Sequence, residues 1–234
     1  MLEMAARQDG LQTSECVSQF AFAGPSANDD RPVISGVSES TYRAHEHIFH
    51  EGDDASRFYE VLEGMVCVYK IMADGRRLVL SFCLPGDLIG LGDGDAFSFS
   101  AEAMTGCRVL RIPLSAMEHE MDRRPELGRK LLRSVRIELS AARAQLLNLA
   151  RKSAMEKIAT FLIELFERGA TRAGAPNMLR LPMNRADIAD YLGLTIETVS
   201  RTFTKLRKMG TIDLPQSSMV VLRDIEQLKS LSER

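Results

Sequence analysis

The sequence has few cysteines and no long apolar segment. Its four cysteines are widely spaced along 234 residues and form no C-x-x-C pair, so we expect no disulfide framework. Cys67, Cys83 and Cys107 lie in apolar surroundings and are predicted to be buried thiols, which suits a reducing cytoplasm, whereas Cys16 stands apart. No apolar run could span a bilayer or form the core of a signal peptide. The chain is therefore expected in the cytoplasm, with no membrane partner.

The chain also lacks a strong net charge and the motifs of common enzymes. Its formal net charge is −2, so the whole molecule is not a polycation. Between Arg180 and Gly210, however, six basic residues stand against three acidic ones, and a basic face on a near-neutral protein favours selective binding of DNA. The sequence shows no nucleophile–base pair, no phosphate-cradling glycine loop and no P-loop. We therefore expect no enzyme, no catalytic residue and no cofactor.

The texture of the sequence changes along the chain and predicts an α+β protein. Residues 1–35 mix small and polar residues and are interpreted as a flexible arm. In residues 36–118 short apolar runs alternate with turn signals, such as Asp74-Gly75, which is typical of an antiparallel β-roll of jelly-roll or cupin-like type. Residues 119–151 then follow a helical period, and residues 152–234 are predicted to form a second, mostly helical domain.

A single apolar stripe runs along the predicted helix 119–151. Pro125 lies near its start, where proline is tolerated. Members of the stripe are three or four residues apart, close to the spacing of a coiled-coil seam. The same chain could cover this stripe, but a two-fold partner helix is favoured because a protein that reads DNA grooves gains from dimerisation. The predicted homodimer interface comprises Leu127, Leu131, Val135, Leu139, Ala142, Leu146 and Leu149.

Residues 186–209 have the spacing of a helix-turn-helix. A small residue, Ala189, lets two helices approach closely, and Gly193 accepts the positive φ of a sharp turn. The alternative interpretation is a surface helical hairpin with ordinary solvated charges. A polar face on the second helix suits entry into the major groove. The predicted buried stripe comprises Ile188, Leu192, Leu194, Val199, Phe203 and Leu206, and the opposite face carries Ile196, Glu197, Ser200, Arg201 and Lys205.

The segments around this motif complete the second domain. Residues 152–168 are predicted to form an amphipathic helix, and residues 169–176 a flexible link. Two short apolar runs, 211–214 and 219–222, flank the turn 215–218 and predict a hairpin. A hairpin directly after a recognition helix is the wing of a winged helix-turn-helix. A short helix is expected over 224–231.

Several motifs give the chain a family resemblance over residues 36–230. The order of β-roll, long helix and winged helix resembles the catabolite-activator and Fnr superfamily of bacterial transcription regulators. Within it, the recognition helix is most similar to the FixK-type branch of α-proteobacteria, which links the chain to nitrogen fixation. The motifs are Phe49-x-Glu-Gly-Asp53, Gly64, Pro85-Gly-Asp-x-Ile-Gly90 and Tyr191-Leu-Gly-Leu-Thr-x-Glu-Thr-Val-Ser-Arg201.

The resemblance implies a homodimeric regulator, expected to be an activator that contacts RNA polymerase, on an inverted repeat with TTGA-type half-sites in double-stranded DNA. Independently, arginine pairs with guanine O6 and N7, and glutamate accepts from cytosine N4. An ion pair between Glu197 and Arg201 is the alternative role for the glutamate. The family places base contacts at Ile196, Glu197, Ser200 and Arg201, and the expected phosphate contacts are Asn184, Arg185, Thr195, Thr198 and Lys205.

The family's usual effectors do not match this β-roll. Cyclic-nucleotide members have a glutamate after the glycine that corresponds to Gly90, but Leu91 stands here. No arginine occurs between Arg77 and Arg108 to pair with a cyclic phosphate, and Phe97 and Phe99 occupy the expected position. The iron–sulfur members need four clustered thiolates, and these cysteines are dispersed. We expect neither a cyclic nucleotide nor a cluster.

A group of histidines leaves two alternatives open. His45, His47 and His50 resemble the metal-binding strand of cupins, but no later histidine of the β-roll completes such a site. We therefore expect solvated side chains and no metal. The alternatives are an effector- or metal-gated regulator of the same fold and, more distantly, a metal-dependent cupin enzyme.

Overall fold

Two antiparallel sheets form the first half of the fold. The computed structural model describes residues 34–92, 94–172 and 175–233. The sheets have strand orders β1-β8-β3-β6 and β2-β7-β4-β5 and enclose one core, as the β-roll prediction requires. The strands are β1 Ser38–Tyr42, β2 His47–Phe49, β3 Arg57–Glu63, β4 Val66–Ile71, β5 Arg77–Cys83, β6 Leu88–Ile89, β7 Ser100–Ala103 and β8 Cys107–Pro113.

The predicted hairpin and the predicted buried thiols are confirmed. Strands β4 and β5 pair from Val66 with Cys83 to Ile71 with Arg77, and the turn between them contains Asp74-Gly75. Cys67, Cys83 and Cys107 are buried and carry free thiols. Burial raises the pKa of Cys67 and of Cys83 to about 12, so both stay protonated at neutral pH.

Aromatic side chains fill the interior between the two sheets. The Phe49 ring stacks on Phe97 with centroids 3.8 Å apart and on Tyr59 with centroids 5.4 Å apart. Gly90 makes this packing possible, because it has φ +82° and a Cβ there would lie 2.9 Å from Cε1 of Phe97. The interior of the β-roll is therefore packed with the rings of Phe49, Tyr59 and Phe97, and this packing requires a glycine at position 90.

The predicted helix 119–151 is wrong at its N-terminal end. Residues Leu114–Arg123 form a separate helix, α1, and the long helix α2 spans Pro125–Arg151. Proline disfavours helical dihedrals in the residue before it. Arg124 accordingly has φ −135° and ψ 83°, and the chain breaks there. Pro125 is at the start of α2, as predicted.

The first part of the predicted apolar stripe is used inside the same chain. Leu127 is 4% exposed and packs in a core with Phe58, Ile112 and Met117, between the β-roll and α1. Leu131 is partly buried against the same core. Leu127 is therefore not available to a partner chain, which corrects the predicted interface. Ile34, assigned to the arm, is buried in this core as well; residues 1–33 and Cys16 lie outside the described residues.

The second domain contains four helices and a third sheet among the described residues. The range 169–176, predicted as a flexible link, instead contains strand β9, Thr171–Arg172, and the beginning of strand β10, Ala175–Arg180. Strand β10 pairs both with β9 and with the wing strand β12, Met219–Leu222. In the wing, β11 continues to Gln216, which shortens the turn to residues 217–218. The elements are α3 Ala154–Glu167, β9 Thr171–Arg172, β10 Ala175–Arg180, α4 Arg185–Leu192, α5 Ile196–Lys208, β11 Ile212–Gln216, β12 Met219–Leu222 and α6 Ile225–Ser232.

We predict that Gly90→Ala destabilises the fold by about 1–3 kcal/mol, because a Cβ at this φ is strained and also overlaps Phe97. Gly92→Ala is the control, since nothing lies within 4 Å of a Cβ at that position. Urea unfolding of the two variants measures the difference. Equal midpoints would show that the aromatic interior does not depend on Gly90.

Candidate nucleic-acid interface

Helix α4 and the turn after it are fixed by capping bonds. The Asn184 side chain accepts from the backbone N–H groups of Ala186 and Asp187, at 2.7 and 3.0 Å, and Asp187 accepts from the Asn184 N–H at 3.0 Å. Gly193 ends the helix in the left-handed conformation, with φ 60° and ψ 45°. Ala189, the small residue predicted to lie between the two helices, is 2% exposed.

Helix α5 has one buried face and one exposed face, as predicted. Val199, Phe203 and Leu206 are at most 1% exposed, and Thr195 caps the helix by accepting from the Thr198 N–H at 3.2 Å. Its N-terminal end, which carries the positive end of the helix dipole, lies at the surface. The side chains predicted to contact bases are all exposed: Ile196, Glu197, Ser200 and Arg201.

Glu197 is held as a carboxylate without an ion pair to Arg201. Its pKa is lowered by hydrogen bonds from its own backbone N–H and from the Thr195 hydroxyl, with a smaller effect of the Arg201 charge. Within the described residues, no ion pair of 4.0 Å or less joins Glu197 to Arg201. The ion pair considered as the alternative is therefore not formed, and both groups face solvent.

The residues predicted to contact phosphates lie around the same surface but differ in their surroundings. Asn184 and Lys205 are exposed, and the Thr195 and Thr198 hydroxyls share a hydrogen bond of 3.0 Å. Arg185 is half-buried, and its guanidinium carbon lies 3.7 Å from the centroid of the Phe203 ring. Burial lowers its pKa from the ordinary value. Sequence reasoning missed this stacking, because the two residues are eighteen positions apart.

Other basic groups extend the surface toward the wing. Lys205, Arg207 and Lys208 lie in the last turn of α5, where they also compensate the negative end of the helix dipole. Arg223, next to the wing strand β12, pairs with Asp213 at 3.1 Å. The exposed face of α5 is therefore flanked by cations, which is the electrostatic pattern of a nucleic-acid surface.

The histidines of the β-roll are tied to protein groups. His45 Nδ1 lies 3.1 Å from Glu102, His47 Nε2 lies 2.8 Å from the Tyr69 hydroxyl, and the His47 and His50 rings stack with centroids 4.3 Å apart. His45 and His50 are exposed and His47 is half-buried. Across the described ranges, no three His, Cys, Asp or Glu side chains are placed to hold a metal ion.

The position expected for a cyclic nucleotide is occupied by the aromatic interior. Phe97 is 5% exposed and packs on Phe49, and Leu91 follows Gly90 where a ribose-binding glutamate would stand. A cyclic phosphate buried there would have no cationic partner in this stretch, which is strongly unfavourable. The stretch from Leu88 to Ala103 therefore offers no arginine or lysine side chain to an anionic ligand.

Two protein families match consecutive parts of the chain. Residues 39–124 match the cyclic nucleotide-binding domain, and residues 156–231 match the Crp-like helix-turn-helix domain. The chain is 41% identical over 210 residues to the nitrogen fixation regulation protein FixK of Azorhizobium caulinodans, which covers 89% of this chain and 85% of that protein.

Further relatives agree along most of the chain. The transcriptional activatory protein AadR of Rhodopseudomonas palustris is 40% identical over 212 residues, covering 90% of this chain and 89% of AadR. The solved structure of FixK2 from Bradyrhizobium japonicum superposes with a TM-score of 0.77 at 38% identity, covering 83% of this chain and 96% of FixK2. The chain belongs to the Crp/Fnr family. As a member, it is a DNA-binding transcription regulator of FixK-like type.

Membership confirms the predicted family and fold class, an α+β chain with an N-terminal β-roll and a C-terminal helix-turn-helix. The description of the N-terminal family as cyclic nucleotide-binding refers to the family. In this member Leu91 follows Gly90, and Phe97 is buried in the interior. In the described part of this Crp/Fnr protein, no helix is both long and apolar enough to cross a bilayer.

We predict that Arg201→Ala weakens binding to a specific duplex by about 1–3 kcal/mol and leaves binding to a scrambled duplex nearly unchanged. Arg223→Ala is the matched control, because it removes the same charge beside the wing, outside α5. Fluorescence anisotropy at a single salt concentration gives both affinities for each variant. A specific-to-scrambled ratio that Arg201→Ala leaves unchanged would contradict a base contact.

Proposed function

We propose that this regulator acts as a homodimer that binds an inverted repeat with TTGA-type half-sites, without a cyclic nucleotide or an iron–sulfur cluster. The observation that carries the proposal is the exposure of two complementary surfaces on one chain, the polar face of α5 and the apolar face of α2. One surface suits base edges in a major groove, and the other suits a second copy of the same helix.

The exposed face of α2 has the spacing of a two-stranded coiled coil. Its members follow one another at steps of 3, 4, 3, 4 and 3, which keeps them on one side of a supercoiled helix. Leu132 replaces Leu127, which is buried in the chain's own core, and Leu131, which is partly buried there, so the seam begins five residues later than the predicted stripe. We define the α2 seam as Leu132, Val135, Leu139, Ala142, Leu146 and Leu149, whose five larger members are 38–67% exposed.

A two-fold seam also explains why one chain carries one reading helix. Two copies of α5 related by the seam would enter successive major grooves about 34 Å apart on one face of DNA. Arg201 suits the guanine and Glu197 the cytosine of a G·C pair within each half-site. Asn184, Thr195, Thr198, Lys205 and, through the edge of its stacked guanidinium, Arg185 would contact the flanking phosphates.

Control without a diffusible effector is the second part of the proposal. The packed Phe49 and Phe97 rings support it for cyclic nucleotides, and the separate protein partners of His45 and His47 support it for metals. The exposed face of α5 is suited to binding DNA, and we propose no enzymatic activity for this protein. DNA binding is then expected with the purified protein alone.

Activation is proposed from the relatives. AadR is named a transcriptional activatory protein and FixK a regulator of nitrogen fixation, and we propose a comparable role for this chain, with contact to RNA polymerase. The β4–β5 hairpin supports such a contact, since Ile71 and Met72 at its tip are 51% and 41% exposed.

We predict that Leu146→Glu converts the protein to a monomer at micromolar concentration, because a charge placed in a buried seam costs several kcal/mol. Leu147→Glu is the matched control. Leu147 is as exposed as Leu146, at 66% and 67%, but points about 100° away from it around the helix. Sedimentation equilibrium measures both variants, and dissociation of neither, or of both alike, would argue against the α2 seam.

We predict that the wild-type protein binds a TTGA-type inverted repeat in air without additives, and that millimolar cyclic AMP or cyclic GMP changes its affinity by less than about twofold. The physical reason is that a ligand excluded by the packed interior cannot shift the binding equilibrium. Gel shift with and without each nucleotide provides the test. A tenfold gain on addition of either nucleotide would overturn the effector-free proposal.

A further inference from the structure

A cation of the β-roll reaches directly into the helix-turn-helix. Arg77, at the start of β5, donates through Nη1 to the Asp187 carboxylate of α4 and through Nη2 to Glu102 at 3.3 Å. Its guanidinium carbon also lies 4.2 Å from the centroid of the Tyr69 ring. Arg77 is thus fixed from two sides within the β-roll, by Glu102 and Tyr69, and presents one nitrogen to the other domain.

The acceptor of this bond is a structural carboxylate. The Asp187 side chain is 8% exposed, and its second oxygen accepts the Asn184 N–H that begins α4. A buried carboxylate that loses its cation is strongly disfavoured. Arg77 therefore binds the residue that caps the N-terminus of α4, and α4 in turn packs against α5.

A second ion pair joins the same two domains, with the cation in the second domain and the carboxylate in the β-roll. Arg168, just after α3, donates to the Asp87 carboxylate of the β-roll and to the Phe82 carbonyl at 3.4 Å. Between the two ion pairs, Phe82 packs against Tyr191 and Phe161 with centroids 5.2 and 6.1 Å apart. Two ion pairs on either side of an aromatic contact restrain rotation as well as separation of the two domains.

The contact between the β-roll and the second domain leaves the predicted base-contacting side chains exposed. Glu197 and Arg201 face solvent on α5, whereas Asp187 and Tyr191 face the β-roll on α4. The contact is therefore compatible with DNA in the groove. Its geometry fixes the direction in which α5 points from the β-roll and from α2.

We propose that Arg77 is a positioning residue for operator recognition, which through Asp187 sets the distance and tilt between the two reading helices of a dimer. This inference rests on the proposed function. Because the orientation of each α5 is fixed, the dimer accepts one spacing of half-sites. Without Arg77, each helix-turn-helix samples more orientations, and binding to the preferred operator costs more ordering entropy.

The test compares spacer preference in Arg77→Ala and in Arg76→Ala. Arg76 is the adjacent arginine of the same hairpin, is 83% exposed and pairs with Asp74. The Arg76→Ala substitution therefore removes the same charge as Arg77→Ala but breaks no bond to α4. Duplexes carry the inverted repeat with its preferred spacer or with one or two base pairs added or removed. We expect Arg77→Ala to lose roughly tenfold in affinity on the preferred spacer and to discriminate less between spacers, and Arg76→Ala to match the wild type.

Arg77→Lys keeps the charge but not the two-nitrogen geometry, and should recover part of both losses if the first variant folds poorly. Thermal unfolding of all variants separates positioning from general stability. Undiminished spacer discrimination, or tighter operator binding, in Arg77→Ala would overturn the inference.

Amide hydrogen exchange tests the same contact without DNA. We expect faster exchange at residues 184–189 in Arg77→Ala and wild-type exchange in Arg76→Ala, because only the first loses the bond to Asp187. If the wild-type protein binds no inverted repeat, the proposed function fails, while exchange still reports on the contact. Unchanged exchange in Arg77→Ala would reject the role of Arg77 on its own.

Discussion

The presentation of α5 depends on α4, which is held from two sides. On one side Ile188 and Ala189 are buried, and the small side chain of Ala189 lets the second helix approach closely. On the other side Asp187 receives the Arg77 guanidinium from the β-roll. Neither side alone fixes a direction in space, since the first contact sets α5 relative to α4 and the second sets α4 relative to the rest of the chain.

In the proposed function, the β-roll consequently acts through its outer surface and not through a ligand in its interior. Phe49 and Phe97 pack in the interior, and their packing requires a residue without a Cβ at Gly90. The outer face of β4 and β5 is where charged and aromatic groups meet the second domain. In the function we propose, the family's architecture is kept while the interior of the β-roll serves packing and its outer surface orients the second domain.

Local patterns in the sequence predicted most of the fold and the exposed face of α5, and failed where a contact joins residues far apart in the chain. The turn at Gly193 and the buried face of α5 depend on residues a few positions apart, so spacing alone revealed them. The pair Arg77–Asp187 joins residues 110 positions apart, which no local pattern can indicate. The interpretation of 169–176 as a link is wrong partly for the same reason, since β10 pairs with the distant β12 as well as with its neighbour β9.

The apolar stripe of α2 shows how periodicity and burial must be combined. Spacing identifies a continuous stripe, but packing divides it, since Leu127 is consumed by its own chain and Leu132 begins the exposed seam. At the other end Leu149 lies against the turn, with its Cδ2 3.4 Å from where a Cβ on Gly193 would be, and Gln145 donates to the Tyr191 carbonyl at 3.0 Å. In the proposed dimer, the helix that pairs the two chains therefore also contacts the helix-turn-helix directly. The orientation of each α5 relative to the two-fold axis is then set by two contacts, one with α2 and one with the β-roll.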